Sequence, residues 1–286
     1  MPSLIDIRRR IRSVKNTQQI TKAMKMVSAA KLRRAQDRVI AARPYTSMLR
    51  AMLSDIAATA ASDEKAGENP LLARREEKRI LLILITGDKG LAGAFNTNLI
   101  KGAQRFSAEH GGATVKLELI GRKGRDFFRK RGAAIAGEQI GLANKPAYKD
   151  TAVIARKAMD LYRAGEIDAV YLLFNEFKSV VSQKLTLTRI LPVELPQQEA
   201  AGDFIFEQPV VELLEMLLPR YVETEFFRAL LESSAAEHAA RMTAMDAATS
   251  NAADMIDRLT LYMNRVRQAS ITKEIIEVVS GAAAAE

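Results

Sequence analysis

Ile80-Leu81-Leu82-Ile83-Leu84-Ile85-Thr86-Gly87-Asp88-Lys89-Gly90-Leu91-Ala92-Gly93 begins with six consecutive apolar residues and then turns abruptly polar and glycine-rich. An unbroken apolar run of this length, stopped by glycine, reads as a strand buried on both faces of a parallel sheet. Val115–Ile120 and Ala169–Phe174 repeat the pattern, and stretches near 92–109, 122–131 and 150–164 carry helical periodicity between them. Strand-helix alternation predicts a small Rossmann-like parallel-sheet α/β domain. Gln183–Leu191, closed by Pro192, adds an edge strand.

Outward from this domain the sequence changes character on both sides. Ala61 to Arg75 is a linker of Ser, Asp, Gly, Glu, Asn and Pro. Before it, Leu4, Ile7, Ile11 and Val14, then Ile20, Met24, Val27 and Ala30, recur at helical steps, with Lys15-Asn16-Thr17-Gln18-Gln19 interrupting the apolar seam. Ser3 and Asp6 suit the start of such a helix. Its residues to 58 would extend about 80 Å at roughly 1.5 Å per residue, too long for a compact domain. Pro44 is expected to bend or break it. From 208 onward Phe227, Leu230, Leu231, Met242, Met245, Met255, Leu259 and Val266 again keep helical spacing, with Pro219 expected to kink the helix and Gly281 to end it. The alanines of 235–253 permit close approach of a partner helix.

The resulting division is residues 1–58 as an N-terminal coiled-coil helix, 59–77 as linker, 78–207 as the globular α/β domain and 208–286 as a C-terminal coiled-coil helix. The simplest geometry packs the two long helices antiparallel. The second outruns the first by about fifteen residues, or roughly 20 Å at 1.5 Å each, leaving an apolar tip. Charge divides accordingly. Residues 1–58 hold thirteen Lys and Arg against three Asp, a net +10 within a chain of +9, whereas residues from 208 onward net −5.

Several chemistries are excluded. There is no cysteine, hence no disulfide, thiolate metal site or thiol switch. The two histidines, His110 and His238, form no zinc pattern. Asp254 and Asp257 share a helix face, but Arg258 four residues after Asp254 makes a surface ion pair the simpler reading. No apolar run nears the roughly 18 residues of a membrane span, and the N-terminus lacks the apolar segment of a secretory signal. We therefore expect no cofactor, no metal, no catalytic residue and a mature cytoplasmic chain. Gly87–Gly93 sits where phosphate loops sit but has neither the Gly-Lys-Ser/Thr ending nor the GxGxxG spacing, so it reads as a tight strand-to-helix turn. The basic helix suggests a nucleic-acid-binding arm as the alternative, although it has no aromatic residue before Tyr45 on which a base could stack.

The ends carry a specific resemblance. Ile5-Asp6-Ile7-Arg8-Arg9-Arg10-Ile11, leading into Thr21-Lys22-Ala23-Met24-Lys25-Met26-Val27-Ser28-Ala29-Ala30-Lys31, is similar to the start of ATP synthase gamma subunits. Glu237 to Ala248 and Ile271 to Ala282 resemble the same family's C-terminal helix, and Thr86 to Leu91 matches its middle domain. The resemblance implies the central rotor shaft of a bacterial proton-translocating ATP synthase, present in one copy per complex and peripheral on the cytoplasmic face of the inner membrane. It implies alpha, beta and epsilon subunits and the membrane c-ring as partners, with no nucleic acid and no direct membrane insertion. Arg9, Arg10, Met24 and Lys25 would meet an acidic lever loop on the beta subunit. Arg241, Gln268 and Thr272 would contact loops of the catalytic ring. The tip from Ile275 to Ala285, including Ile276 and Val279, would turn in an apolar collar. The run from Leu195 to Gln208 has no room for the regulatory insert of the photosynthetic forms.

Overall fold

The computed structural model describes residues 3–60, 69–194 and 207–283. Residues 61–68 of the expected linker, most of the 195–208 run and the Ala285 end of the expected tip lie outside the described residues.

Two compact units are present, one of residues 29–241 and one combining 1–28 with 242–286. These unit boundaries cut through both long helices, α1 (Leu4–Ala60) and α5 (Val210–Ala283).

In the larger unit, β1 (Arg79–Ile85) is central to a five-stranded sheet of order β3-β2-β1-β4-β5. It pairs parallel with β2 (Thr114–Ile120) on one side and with β4 (Ala169–Phe177) on the other. β3 (Ile135–Gln139) extends the sheet in parallel, and β5 (Gln183–Leu191) closes the other edge antiparallel to β4. The apolar run of β1 is explained by burial on both faces. Leu81, Ile83 and Ile85 join one core with α4 (Tyr148–Arg163), Leu49, Leu53 and Ile56 of α1, and Leu214, Leu218, Val222 and Phe226 of α5. Ile80, Leu82 and Leu84 join the other, with Phe95, Leu99, Ala103 and Phe106 of α2 (Phe95–Glu109) and Phe128 of α3 (Arg122–Arg129).

The expected strands and helices are found within a few residues of their predicted limits. β3 escapes sequence reading because it is a short edge strand with Gly137 at its centre and no alternating apolar pattern. Three other expectations are corrected. Neither Pro44 nor Pro219 breaks its helix. Each proline removes one backbone donor, and the residues whose carbonyls lose that donor, Ile40 and Glu215, are exposed. Helix α5 also continues through Gly281 to Ala283, since a single glycine weakens a helix by about 1 kcal/mol without terminating it.

Ser3 caps α1 as anticipated. Its hydroxyl accepts from the Asp6 amide at 3.2 Å, and the Asp6 carboxylate accepts from the Ser3 amide at 3.3 Å and its hydroxyl at 2.8 Å. The packed face of α1 alternates three- and four-residue steps: Leu4, Ile7, Ile11, Val14, Gln18, Thr21, Lys25, Ser28, Leu32, Ala35, Val39, Ala42, Thr46, Leu49, Leu53 and Ile56 are all buried or half-buried. This is a heptad seam. Its four members from Gln18 to Ser28 are polar, which is why a hydrophobic reading loses it there.

Candidate coupling site

Open parallel sheets bind ligands at the carboxyl ends of the strands, where the chain order reverses. Here that position lies beyond β1, between β2 and β4, and helix α5 fills it. The Glu237 carboxylate lies so close to Gly87 that a Cβ there would stand 2.7 Å from Glu237 Oε1. Arg241 is buried, donates to the same carboxylate, and reaches the Gly90 carbonyl from Nε at 3.3 Å and Nη2 at 3.4 Å. Burial pushes the Glu237 carboxyl up against the pull of Arg241. His238, also buried, is driven down to about 4 by burial and by the Arg241 and Lys31 cations, so it is neutral at pH 7.

The loop itself is held from below by Asp88. Its Oδ1 accepts from the Arg122 amide at 3.0 Å, and its Oδ2 accepts from the Gly141 amide at 3.0 Å and from Asn144 Nδ2 at 2.6 Å. The Gly87 amide donates to Asn96 Oδ1 at 2.9 Å. The Gly87 amide is thus committed to Asn96 and the Asp88 carboxylate to neighbouring segments, as suits a tight strand-to-helix turn.

Three more buried carboxylates on α5 face the surrounding elements. Glu223 accepts from Tyr148 Oη at 2.5 Å and from Arg156 Nε at 2.6 Å, both on α4. Glu225 takes Arg50 Nη2 of α1 at 2.7 Å on one oxygen and Arg228 Nη2 at 2.8 Å on the other. Glu232 accepts from the Phe177 amide at 3.0 Å, at the end of β4. A buried carboxylate is costly unless it is paired and hydrogen-bonded, as Glu223 and Glu225 are; Glu232 has the Phe177 amide, and burial pushes its carboxyl up. Between them Ala229, Ala235, Ala236 and Ala239 are fully buried, permitting close packing. Glu223, Glu225 and Glu232 therefore key α5 to α4, α1 and β4, and Arg241, held by Glu237, keys it to the 89–90 carbonyls, fixing its rotation and its axial position.

The smaller unit is built differently. Thr21 and Thr249 share a hydroxyl-hydroxyl bond of 2.8 Å, and Lys25 Nζ meets Asp246 at 2.5 Å, so α1 and α5 run antiparallel there. The Lys25–Asp246 pair is substantially exposed and contributes about 1 kcal/mol or less. Extending that register at 1.5 Å per residue sets Leu4 beside about Val266. Beyond it every residue from Ile271 to Ser280 is exposed, including Ile275 and Ile276 at 58% and Val279 at 61%. Exposed apolar residues in such a concentration mark an interaction surface.

The predicted site residues fall into two groups. Arg9, Arg10, Gln268, Thr272, Ile275, Ile276 and Val279 are exposed, and Met24 and Lys25 are half-buried on α1. Arg241 stands apart, its guanidinium spent on Glu237 and the 89–90 carbonyls. Sequence reasoning missed the carboxylate keys Glu223, Glu225 and Glu232 and the Asp88 hub. The available signal was a series of glutamates set within an otherwise apolar, alanine-rich helix, where acids have no reason to be unless paired.

The buried histidine gives a pH test. The unfolded chain protonates His238 below its ordinary pKa of 6.5, whereas the folded chain resists until about 4. Stability is therefore lost as pH falls through that window. Glu237, whose raised pKa favours the folded state as acid is added, opposes part of this loss. His238→Gln is expected to flatten the decline between pH 6.5 and 4, measured by urea unfolding; an unchanged slope would contradict a buried neutral imidazole.

No described helix is long and apolar enough to cross a membrane, and no cluster of metal-ligating side chains occurs among the described residues. Comparison with known proteins is consistent throughout. A family model described as ATP synthase matches residues 3–285. The ATP synthase gamma chain of Solibacter usitatus is 76% identical over 286 residues, spanning all of both chains. That of Desulfitobacterium hafniense is 51% identical, also over the whole of both. Among solved structures, a chain of the Euglena gracilis mitochondrial ATP synthase has a TM-score of 0.67 at 19% identity, covering 98% of this chain and 94% of its own. A chain of the Tetrahymena thermophila mitochondrial ATP synthase central stalk and c-ring has a TM-score of 0.62 at 24% identity, covering 80% and 99%. Those two share the fold; the full-length identities establish more. With its nucleotide-loop position filled by its own helix, this non-catalytic chain belongs to the ATP synthase gamma-chain family.

Proposed function

We propose that this chain is the central shaft of a bacterial proton-translocating ATP synthase, turning inside a ring of alpha and beta subunits and carrying torque from the membrane c-ring. The observation that carries this reading is the full-length 76% identity to a gamma chain, joined to the way α5 is anchored. A shaft needs a foot that cannot slip, and four buried carboxylates supply one. It also needs a bearing surface without strong directional bonds, which would pin one angle. The exposed aliphatic residues of 271–280 supply that. Torque passes between them along an unbroken helix backbone from Val210 to Ala283.

Nucleotide chemistry resides in the beta subunits. The shaft acts by presenting different faces at different angles, each stabilising a different conformation of the catalytic subunits. Coupling of this kind requires differential contacts and no covalent step. In this account Arg9, Arg10, Met24 and Lys25 meet an acidic lever loop of the beta subunit, Gln268 and Thr272 meet ring loops, and Ile275, Ile276 and Val279 turn in the collar. Arg241 belongs instead to the foot, holding Glu237 and the 89–90 carbonyls. The epsilon subunit and c-ring engage the α/β domain, one copy of the chain serves each complex, and the assembly lies peripherally on the cytoplasmic face of the inner membrane.

Met24→Lys tests the contact set. Met24 is half-buried, so the change is expected to cost the chain only about 1 kcal/mol of stability while reducing ATP-driven proton pumping several-fold in the reconstituted complex. Undiminished pumping with retained folding would remove Met24 from the coupling surface.

A further inference from the structure

A cavity of about 430 Å³ opens beside the filled switch point, within the 29–241 unit. Its size falls in the range of about 300 to 1,000 Å³ typical of small-ligand sites. Five cations line it. Lys31, Arg34 and Arg38 come from α1, where steps of three and four residues place them on one face. Lys89 comes from the glycine-rich loop and Lys145 from the segment after β3. His238 forms part of the wall.

No carboxylate lines this cavity, and none of the five cations closes an ion pair among the described residues. The two nearby acids are already committed, Glu237 to Arg241 and Asp88 to two amides and Asn144. Lys31 adds only a longer-range field at Glu237 and His238. Charge of one sign gathered around a concavity raises the local concentration of anions of the opposite sign. Arg79 and Arg189 of the same unit pair with Asp168 and Glu77, whereas the groove gathers its five cations with no carboxylate among its lining residues.

We propose that this groove binds a compact oligophosphate anion, with the arginines as planar two-point donors and the lysines as point charges around its phosphate chain. A single phosphate would leave most of the five cations unmatched, whereas a chain of three presents charge along its length. Arginine forks and lysine ammonium groups are the side chains suited to phosphate oxygens. The cavity lining contains no Phe, Tyr or Trp, the rings most used for base stacking, so the base is not its main feature of recognition. The recognised part is the phosphate chain, free or carried by a nucleotide. The glycine loop contributes through the Lys89 side chain. This site is separate from the coupling contacts and does not rest on them.

The test is calorimetric titration of the full-length chain with sodium tripolyphosphate in 0.15 M KCl, where charges more than about 8 Å apart are largely screened. ATP, adenosine and a hexaglutamate peptide serve as parallel arms. Saturable binding of one tripolyphosphate per chain is expected, with ATP comparable and adenosine absent. Arg34→Ser combined with Lys89→Ser should weaken binding about ten-fold, and Lys101→Ser combined with Lys130→Ser, equal in charge but remote, should change it by no more than about two-fold. The ligand-free unfolding midpoints of both pairs report whether the fold is intact. Equal weakening in both pairs, or no saturation, would reduce the groove to diffuse electrostatics and overturn the proposal. ATP binding without tripolyphosphate binding would overturn it in favour of base recognition. Binding of hexaglutamate alone would overturn it in favour of an acidic protein partner.

Discussion

Gly121→Ala is expected to abolish stable folding of the α/β domain. Gly121 follows β2 and precedes α3 with φ +94°, in the region that side chains strongly disfavour. A Cβ there would stand 2.1 Å from the Thr86 carbonyl oxygen, a backbone atom that cannot swing aside. Relief requires separating the carboxyl ends of β1 and β2. That would break the Thr86 amide's bond to the Ile120 carbonyl at 2.8 Å, the Thr86 hydroxyl's bond to the same carbonyl at 2.9 Å and the Gly124 amide's bond to Thr86 Oγ1 at 3.0 Å. Strain and lost bonds together cost about 4 kcal/mol or more, against a total stability of roughly 5 to 15 kcal/mol for an ordinary domain. With a urea slope of about 2.5 kcal/mol/M, the midpoint should fall by roughly 1.5 M, or the chain should fail to fold. Gly112→Ala, where nothing lies within 4 Å, provides the control and should stay within about 0.5 kcal/mol. An unshifted midpoint for Gly121→Ala would contradict the described strand-helix junction.

Glu223→Leu is expected to loosen the foot of the shaft. Its carboxylate is 2% exposed and receives Tyr148, Arg156 and, at 3.8 Å, Arg220. Burial first, and then the bond to Glu223, push the Tyr148 phenol above its ordinary pKa. Removing the shared acceptor leaves Tyr148 without this partner and the half-exposed Arg156 and Arg220 to water, and should cost roughly 1 to 2 kcal/mol. Because the lost bonds tie α4 to α5, the functional loss should exceed what reduced folding explains. In the assembled complex, proton pumping per ATP hydrolysed should fall, with hydrolysis itself retained. Glu223→Gln keeps an acceptor but no charge and should lie between. If Glu223→Leu destabilises the chain while pumping per ATP stays at the wild-type value, the carboxylate is a folding element with no part in transmission.

Much of this was readable from residue pattern because the pattern had one physical cause at a time. The 80–85 run is apolar throughout because β1 is covered on both faces, so its burial and its parallel neighbours followed directly. The edge strand Gln183–Leu191 was marked by its closing Pro192. Legibility failed where two demands met at one residue. The α1 seam is continuous in threes and fours, but its polar members Gln18, Thr21, Lys25 and Ser28 pack through hydroxyls and an ion pair instead of apolar area. Pro44 and Pro219 looked like breaks because sequence does not show which carbonyl loses its donor or whether it faces water. Arg241 was singled out by its match to the family's ring-contacting positions; its bonds to Gly90, in a loop some 150 residues earlier, and to Glu237 are a proximity only the fold creates. The same holds for Glu223, Glu225 and Glu232, whose partners lie on other elements.

The groove at Lys31, Arg34, Arg38, Lys89 and Lys145 was equally hidden. The basic run of α1 was visible, yet which of its cations gather around one cavity depends on where the 87–93 loop and the 142–147 segment come to rest.

The central claim is that this chain is the single shaft of a catalytic ring. Native mass spectrometry of the chain mixed with ATP synthase alpha and beta subunits and nucleotide tests it most directly. The account predicts one copy of this chain within a complex of three alpha and three beta subunits, with ATPase activity rising on its incorporation. Absence of any association, with tight salt-sensitive RNA binding by the free chain instead, would contradict it.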